Sequence, residues 1–270
     1  MLSVNLYLSE EINQTSIDES KSFVESLFNV NLCKVTIINQ GTSLCITDPE
    51  GSCVSVGEDE HYVFYQITSN GIVSTDLLVH ELAHAANLIV HRQAAIQSIP
   101  KEHICISEAI AYFAQLSFLK EHGSMHMKIC ALNAFLLTYL NILIYRYCIR
   151  YQIHIDAVNP QELIKDPEIH DFMISYPNPK EGEQIILMKI REVKNGKTVL
   201  SEIYQRFGIV IAIILLTNKT EMSAIIELMK NNSIEIDLET LLSQLGIPEC
   251  LKIRGIDHYI EKYIRLEPKN

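Results

Sequence analysis

The sequence predicts an α+β fold: a β-rich N-terminal part with one backing helix, then a motif-bearing helix, then a mainly helical C-terminal part. Three observations lead to it. Up to Gly71, short β-prone runs alternate with turn residues. Beyond Gly71, apolar residues recur at helical spacing. Hydrophobic residues make up 48% of the 270, enough to bury a sizeable core and too many for a disordered chain.

The elements follow in order. Val4 to Leu8 alternates apolar and polar residues, as a strand does. Ser16 to Phe28 carries Ile17, Phe23, Val24, Leu27 and Phe28 near a helical period, and Ser16 with Glu19 has the form of a capping box. Lys34 to Asn39, Ser43 to Thr47, Cys53 to Gly57 and His61 to Thr68 are β-rich. Gly41, Asp48-Pro49, Gly51 and Asn70-Gly71 punctuate them. Ser74-Thr75-Asp76 then offers N-cap oxygens for a long helix through about His91. A second helix carries Glu108 to Lys120 and ends near Gly123. Helices are expected at Met125 to Tyr151, Gly182 to Lys194, Thr198 to Phe207, Glu221 to Asn231 and Leu238 to Leu245. Pro160, Pro167, Pro177 and Pro179 mark an irregular connection between the first two of these. A soft boundary near residue 123 separates a β-rich subdomain, 1–123, from a helical subdomain, 124–270. Both can share one core.

The formal net charge is -11. An acidic chain gains nothing from counterion release on phosphate, so neither nucleic acid nor an anionic membrane surface is an expected partner. The most apolar long stretch, Ala131 to Ile149, is interrupted by Asn133, Asn141 and Arg146. A membrane span needs about 20 apolar residues with few polar breaks, so this stretch is read as a buried core helix. Met1-Leu2-Ser3-Val4-Asn5 has no basic segment and no long apolar one. That places the expected location in the cytoplasm, with export by a non-classical route left open. The seven cysteines are odd in number and none has Cys-x-x-Cys spacing, which argues against a zinc knuckle or a thioredoxin-like motif. In a hairpin closed by Asp48-Pro49-Glu50-Gly51, Cys45 and Cys53 would lie on opposite faces, so a disulfide between them is not expected. The cysteines read as reduced, mostly buried thiols in a reducing compartment.

The informative segment is His80-Glu81-Leu82-Ala83-His84. Histidines four apart on a helix share one face, about one turn apart. Two imidazole nitrogens so placed can reach one zinc ion at about 2.0–2.1 Å. Glu81 stands beside the first histidine and projects near the position left open on the ion. A carboxylate there can take a proton from a metal-activated water and pass it to a leaving amine.

Two histidines do not complete a catalytic zinc site; a third protein ligand is needed. His91 is one candidate. In the longer metzincin pattern a glycine stands three residues after the second histidine and the third histidine three residues later. Those positions hold Asn87 and Val90 here. On a continuing helix His91 would stand about 10 Å along the axis from His84, too far to share the ion. Glu108, in Ile106-Ser107-Glu108-Ala109-Ile110-Ala111, fits better. It opens a second helical stretch whose Ala109 and Ala111 allow close helix packing, and a carboxylate from a second helix completes a His2Glu set. Its plain alternative is a first-turn acid complementing the helix dipole.

At these residues the chain resembles the gluzincin metallopeptidases, which carry His-Glu-x-x-His on one helix and a glutamate ligand on the next, often within Asn-Glu-Gly-x-Ala. The matching segment departs from that pattern at Ser107 and Ala109. The resemblance covers about Asp76 to Leu116 and the order of a β-rich half before a helical half. It implies a zincin-like fold, one Zn2+ per chain held by His80, His84 and Glu108, and Glu81 as general base. Some relatives carry a carboxylate four residues after the glutamate ligand, where it orients a metal-bound histidine. Tyr112 stands there in this chain, so the partner of the histidine must differ. Family members bind substrate as an added strand at a sheet edge, and His61 to Thr68 is the natural candidate. The oxyanion is often held by a Tyr or His of the helical half, for which His154, His170 and Tyr176 are the candidates. His103 reads as a surface residue.

The expected function is therefore zinc-dependent hydrolysis of peptide bonds in a peptide or protein substrate. Two other readings stay in view: a zincin-fold binding module without activity, and a toxin or effector protease acting on one specific protein.

Overall fold

The structure is a computed structural model. It describes residues 12–42, 51–56, 60–67, 75–94, 103–123, 140–141, 143–174, 178–195, 208–209, 211–212, 215–216 and 219–233. Within them the architecture is mixed α+β and mostly helical, with a three-stranded sheet. The expected elements Val4 to Leu8, Ser43 to Thr47, Thr198 to Phe207 and Leu238 to Leu245 lie outside the described residues.

Helix α1 (Gln14–Phe28) starts earlier than the pattern suggests, because the cap is Asn13 and not Ser16. The Asn13 side-chain Oδ1 accepts the Ser16 backbone N–H at 3.0 Å, satisfying an orphan donor of the first turn. Asn29 closes the helix in the left-handed region, at φ 51°.

Strand β1 (Val35–Thr42) runs parallel to β3 (Glu60–Ile67), and β2 (Gly51–Val56) pairs antiparallel to β3. The order is β1-β3-β2. β1 extends beyond the expected Asn39 through a register shift, where Gly41 takes φ 81° and its N–H donates to the Asn39 side chain at 2.8 Å. Alternation then decides the faces. Val35, His61, Val63 and Tyr65 are buried toward the helices, whereas Val54 and Val56 point outward and are about half exposed.

The motif helix α2 (Thr75–Ala94) lies against β2 and β3, and α1 and α3 (Ile104–His122) pack on it. Leu78, Leu82, Ala85, Ala109 and Ala111 are fully buried between these layers. Small residues let the two backbones approach, and each buried leucine contributes on the order of 2–5 kcal/mol against truncation to alanine. Leu77 and Ile89 are half-buried.

The C-terminal part is helical: α4 (143–151), α5 (Pro160–Leu163), α6 (Pro167–Ile174), α7 (Pro179–Lys194) and α8 (Met222–Lys230), with helical residues at 208–209, 211–212 and 215–216. The expected irregular stretch between 151 and 179 is instead a 3-10 turn (Ile155–Ala157) and two short helices. Pro160, Pro167 and Pro179 each occupy the first helical position, where a missing N–H costs nothing. Asn159 and Asn178 cap the residues that follow, and Asp166 accepts from Glu168 N at 3.1 Å. One cluster of buried apolar side chains runs from Val24 and Leu82 to Ile144, Ile186 and Met229. Among the described residues no helix is long and apolar enough to cross a membrane.

Candidate metal centre

Contacts between α2 and α3 pair Asp76 with Gln115, His80 with Gln115 and Tyr112, and His84 and Asn87 with Ser107. Rising numbers on α2 meet falling numbers on α3, so the helices run antiparallel. Asp76, His80, His84 and Asn87 stand at spacings of four, four and three and form one stripe of α2. Glu108, Tyr112 and Gln115 form the matching stripe of α3. Two polar stripes are thus pressed together inside an apolar interface.

At the centre His80 Nε2 and His84 Nε2 lie 3.2 Å apart. Glu108 Oε2 is 3.5 Å from His80 Nε2, and Glu108 Oε1 is 3.7 Å from His84 Nε2. The ligand atoms of these three residues all fall within 4.8 Å of one another, the one such group of three among the described residues. The two carboxylate distances are longer than the roughly 2.7–2.9 Å of a charge-assisted hydrogen bond. They suit donors sharing an ion. Bonds of about 2.0–2.2 Å at tetrahedral angles set neighbouring donors about 3.4 Å apart. The donor set, two imidazoles and a carboxylate, therefore fits a divalent ion in number, chemistry and spacing.

Glu108 stands in the second turn of α3, which begins at Ile104 and has no acid in its first turn. The helix dipole fades within the first turn, so it does not account for this carboxylate. The residue is held from behind. A Cβ added to Gly208 would meet Glu108 Cβ at 2.5 Å and the Ala109 amide nitrogen at 2.8 Å. The helical half thus packs backbone to backbone against the start of α3, where any side chain would push Glu108 away.

Glu81 is 7% exposed. A Cβ built on Gly51 would come within 2.8 Å of both its Cγ and its Oε1. The carboxylate thus rests on the first residue of β2. Glycine is required there by close approach and not by its φ. Burial pushes the Glu81 carboxyl up to about 7; the nearby His80 opposes this and Glu108 adds to it. Burial also pulls His84 down to about 4, Glu108 opposing and His80 reinforcing, so its imidazole stays neutral at pH 7. For His80 burial again favours the neutral ring. The Glu108 hydrogen bond, the charges of Glu81 and Glu108 and the Gln115 contact outweigh burial and hold its pKa above the usual value.

The other candidates lie elsewhere. His91 is buried and its Nδ1 lies 3.2 Å from the Lys230 carbonyl at the end of α8, outside the cluster. His103 is not the surface residue expected: it is 6% exposed, its backbone N–H donates to Asn232 Oδ1 at 3.0 Å, and it stands at the N-cap position of α3. His154 pairs with Asp156 at 3.1 Å, and His170 is exposed. Tyr176 lies outside the described residues. The strand at 61–68 is not a sheet edge: β3 is central, paired with β1 on one side and β2 on the other, so neither of its edges can take a peptide. Sequence reasoning missed Gly51, Gly208, Asp76, Asn87 and Gln115. The last three carried a usable signal, the polar stripe at helical spacing. The glycines carried none, since their role depends on distant partners.

Comparison with protein-family models, curated proteins and solved structures finds no match.

Proposed function

We propose that this chain is a zinc-dependent metallopeptidase of the gluzincin type, with His80, His84 and Glu108 as ligands and Glu81 as general base. The observation that carries the reading is the spacing of the three donors. A glutamate from a second helix stands 3.5 and 3.7 Å from two imidazole nitrogens that are themselves 3.2 Å apart. A zinc ion held there would supply Lewis acidity and would make hydroxide available near neutral pH.

The chain's own residues supply the rest. Neutral His84 offers a lone pair at physiological pH. Glu81, with a carboxyl near 7, is poised to accept a proton and to give it back to a leaving amine. β2 is one of the two outer strands of the described sheet, and it is the one that begins against the Glu81 carboxylate. A peptide pairing along its backbone has a scissile carbonyl delivered beside the base, through main-chain hydrogen bonds that the acidic net charge does not oppose. The test is metal analysis of the purified protein beside a peptide-cleavage assay with and without chelator. The expected result is one zinc per chain and cleavage that chelator abolishes and zinc restores. Zinc without cleavage would favour a binding module; absence of bound metal would overturn the reading.

A further inference from the structure

We propose that Gln115 and Asp76 form an amide-bridged relay that fixes the tautomer and direction of His80; the inference rests on the metal-site reading above. Gln115 sits two turns beyond Glu108 on α3, and its side chain is clamped at both ends. Its Nε2 donates to Asp76 Oδ2 at 2.8 Å, and its Oε1 lies 3.1 Å from His80 Nδ1.

The chemistry of Asp76 decides which way the amide points. A carboxylate accepts and does not donate, so it takes the NH2 end of the amide. The amide oxygen is then forced onto His80 Nδ1. A carbonyl oxygen can only accept, so Nδ1 carries the hydrogen and donates it. The lone pair is left on Nε2, the atom 3.2 Å from His84 Nε2 and 3.5 Å from Glu108. An ordinary glutamine beside a histidine could flip and favour either tautomer; this one is locked by the acid behind it. Asp76 and Gln115 each suit a plainer role, the first as an acid in the first turn of α2 and the second as a polar residue on a helix. Neither role accounts for Gln115 bridging both groups in a buried interface. Tyr112, one turn after Glu108, contributes a ring edge-on to His80, with centroids 4.6 Å apart, and leaves Nδ1 to Gln115. The relay therefore supplies a polar partner at Nδ1, beside the ring contact that Tyr112 makes. His84 is held differently, through Ser107 Oγ at 3.1 Å.

Gln115 and Asp76 are positioning residues, and the test reads positioning directly. Zinc dissociation constants are measured by competition with a chromogenic chelator, with circular dichroism and thermal unfolding as fold controls. Gln115→Ala and Asp76→Asn should each weaken zinc about 10–100-fold, the range for outer partners of a metal-bound histidine. Gln115→Glu alone should also weaken it, because two carboxylates then face each other. The Gln115→Glu/Asp76→Asn double variant reverses the polarity of the relay, the introduced carboxylate accepting from both neighbours, and should return to within a few-fold of wild type. A merely structural role would not produce that rescue. Independently of metal, ring 15N shifts of the metal-free wild type at alkaline pH should show a protonated Nδ1 and an unprotonated Nε2 on His80. Wild-type affinity in Gln115→Ala, a double variant no better than Gln115→Glu, or a protonated Nε2 each overturns the relay alone. A wild type that binds no zinc overturns the metal reading and the ligand-positioning role with it.

Discussion

The closest coupling between sheet and site is the contact of Gly51 with Glu81, and Gly51→Ala tests it. The added methyl would sit 2.8 Å from the Glu81 Cγ and Oε1, against 3.4 Å for ordinary contact, so one partner must move roughly 0.6 Å. The strand is the less willing of the two. It is paired with β3 from Gly51 opposite Tyr65 to Val56 opposite Glu60, and Ser55 is held by the Arg92 guanidinium of α2. The atoms it would strike are the far end of a flexible side chain, so the carboxylate gives way. Misplacing a catalytic group by about 1 Å can cost on the order of 100-fold. The expected loss in kcat is therefore about 10–100-fold, or roughly 1.4–2.7 kcal/mol of transition-state stabilisation. Zinc affinity and thermal stability should stay near wild type, since no ligand and no core residue is touched. The assay follows a fluorogenic peptide that the wild type cleaves, with Glu81→Gln as the floor and Ser52→Ala, on the opposite face of the strand, as the control. Turnover within twofold of wild type, or a parallel loss of zinc, would refute the reasoning.

Other outcomes follow from the same geometry. Glu81→Gln should keep zinc and fold while hydrolysis stops, because an amide cannot accept the proton; wild-type turnover in that variant would sink the mechanism. His80→Ala and Glu108→Ala should each lose metal as well as activity, read by metal analysis after dialysis. Gly208→Ala should destabilise the fold by about 1–3 kcal/mol, since its methyl meets backbone and a side-chain root that cannot swing aside; an unchanged unfolding midpoint would contradict this. Cys33 is exposed, whereas Cys148 is fully buried and its burial pushes the thiol up to about 12. An unfolded thiol ionises near 9.0, so raising the pH between these values favours the unfolded chain. Iodoacetamide should label Cys33 at once and Cys148 only at the rate of unfolding, as peptide mass mapping would show.

Local periodicity made much of this legible. The motif helix, the second helix and the two strands nearest the motif follow from alternation and helical spacing, and the pairing of His80 with His84 follows from a four-residue step on α2. Two kinds of information were misread. Pro160, Pro167 and Pro179 look like breakers, yet each follows Asn or Asp and begins a helix, where proline is at home. The outer strand could not be assigned from order alone. β3 is nearest to α2 in sequence, but β1 pairs with it in parallel on one side and β2 antiparallel on the other, which leaves β1 and β2 as the outer strands of the described sheet. Parallel pairing depends on a crossover connection that no local pattern encodes. The glycines are the extreme case: Gly51 reads as a turn residue until Glu81 is seen beside it.

The physical case for an ion can be put against its plainest competitor, a cluster held together by protons alone. In that competitor one imidazole is protonated and donates to the other and to Glu108. Such hydrogen bonds reward short contacts, about 2.7–2.9 Å to a carboxylate. The two Glu108 oxygens instead stand 3.5 and 3.7 Å from the two nitrogens, one oxygen to each, so both contacts are longer than that range. Burial adds to the difficulty. His80, Glu81, His84 and Glu108 are packed in a protein interior, where burial opposes ionisation of a carboxyl, as the raised Glu81 shows, with the Glu108 charge adding to it. A dication at the focus of the three donors removes both difficulties, because it offsets the negative charge and makes the common distance favourable. Replacing Glu108 by glutamine separates the accounts. The amide keeps the shape and a hydrogen-bonding oxygen, so a proton-held cluster should survive with little change in stability or in zinc uptake. A metal site should lose most of its zinc affinity, since a neutral amide oxygen is a far weaker donor to a dication than a carboxylate. Titration of Glu108→Gln with zinc beside its thermal unfolding, metal-free, measures both, and undiminished affinity would decide for the proton.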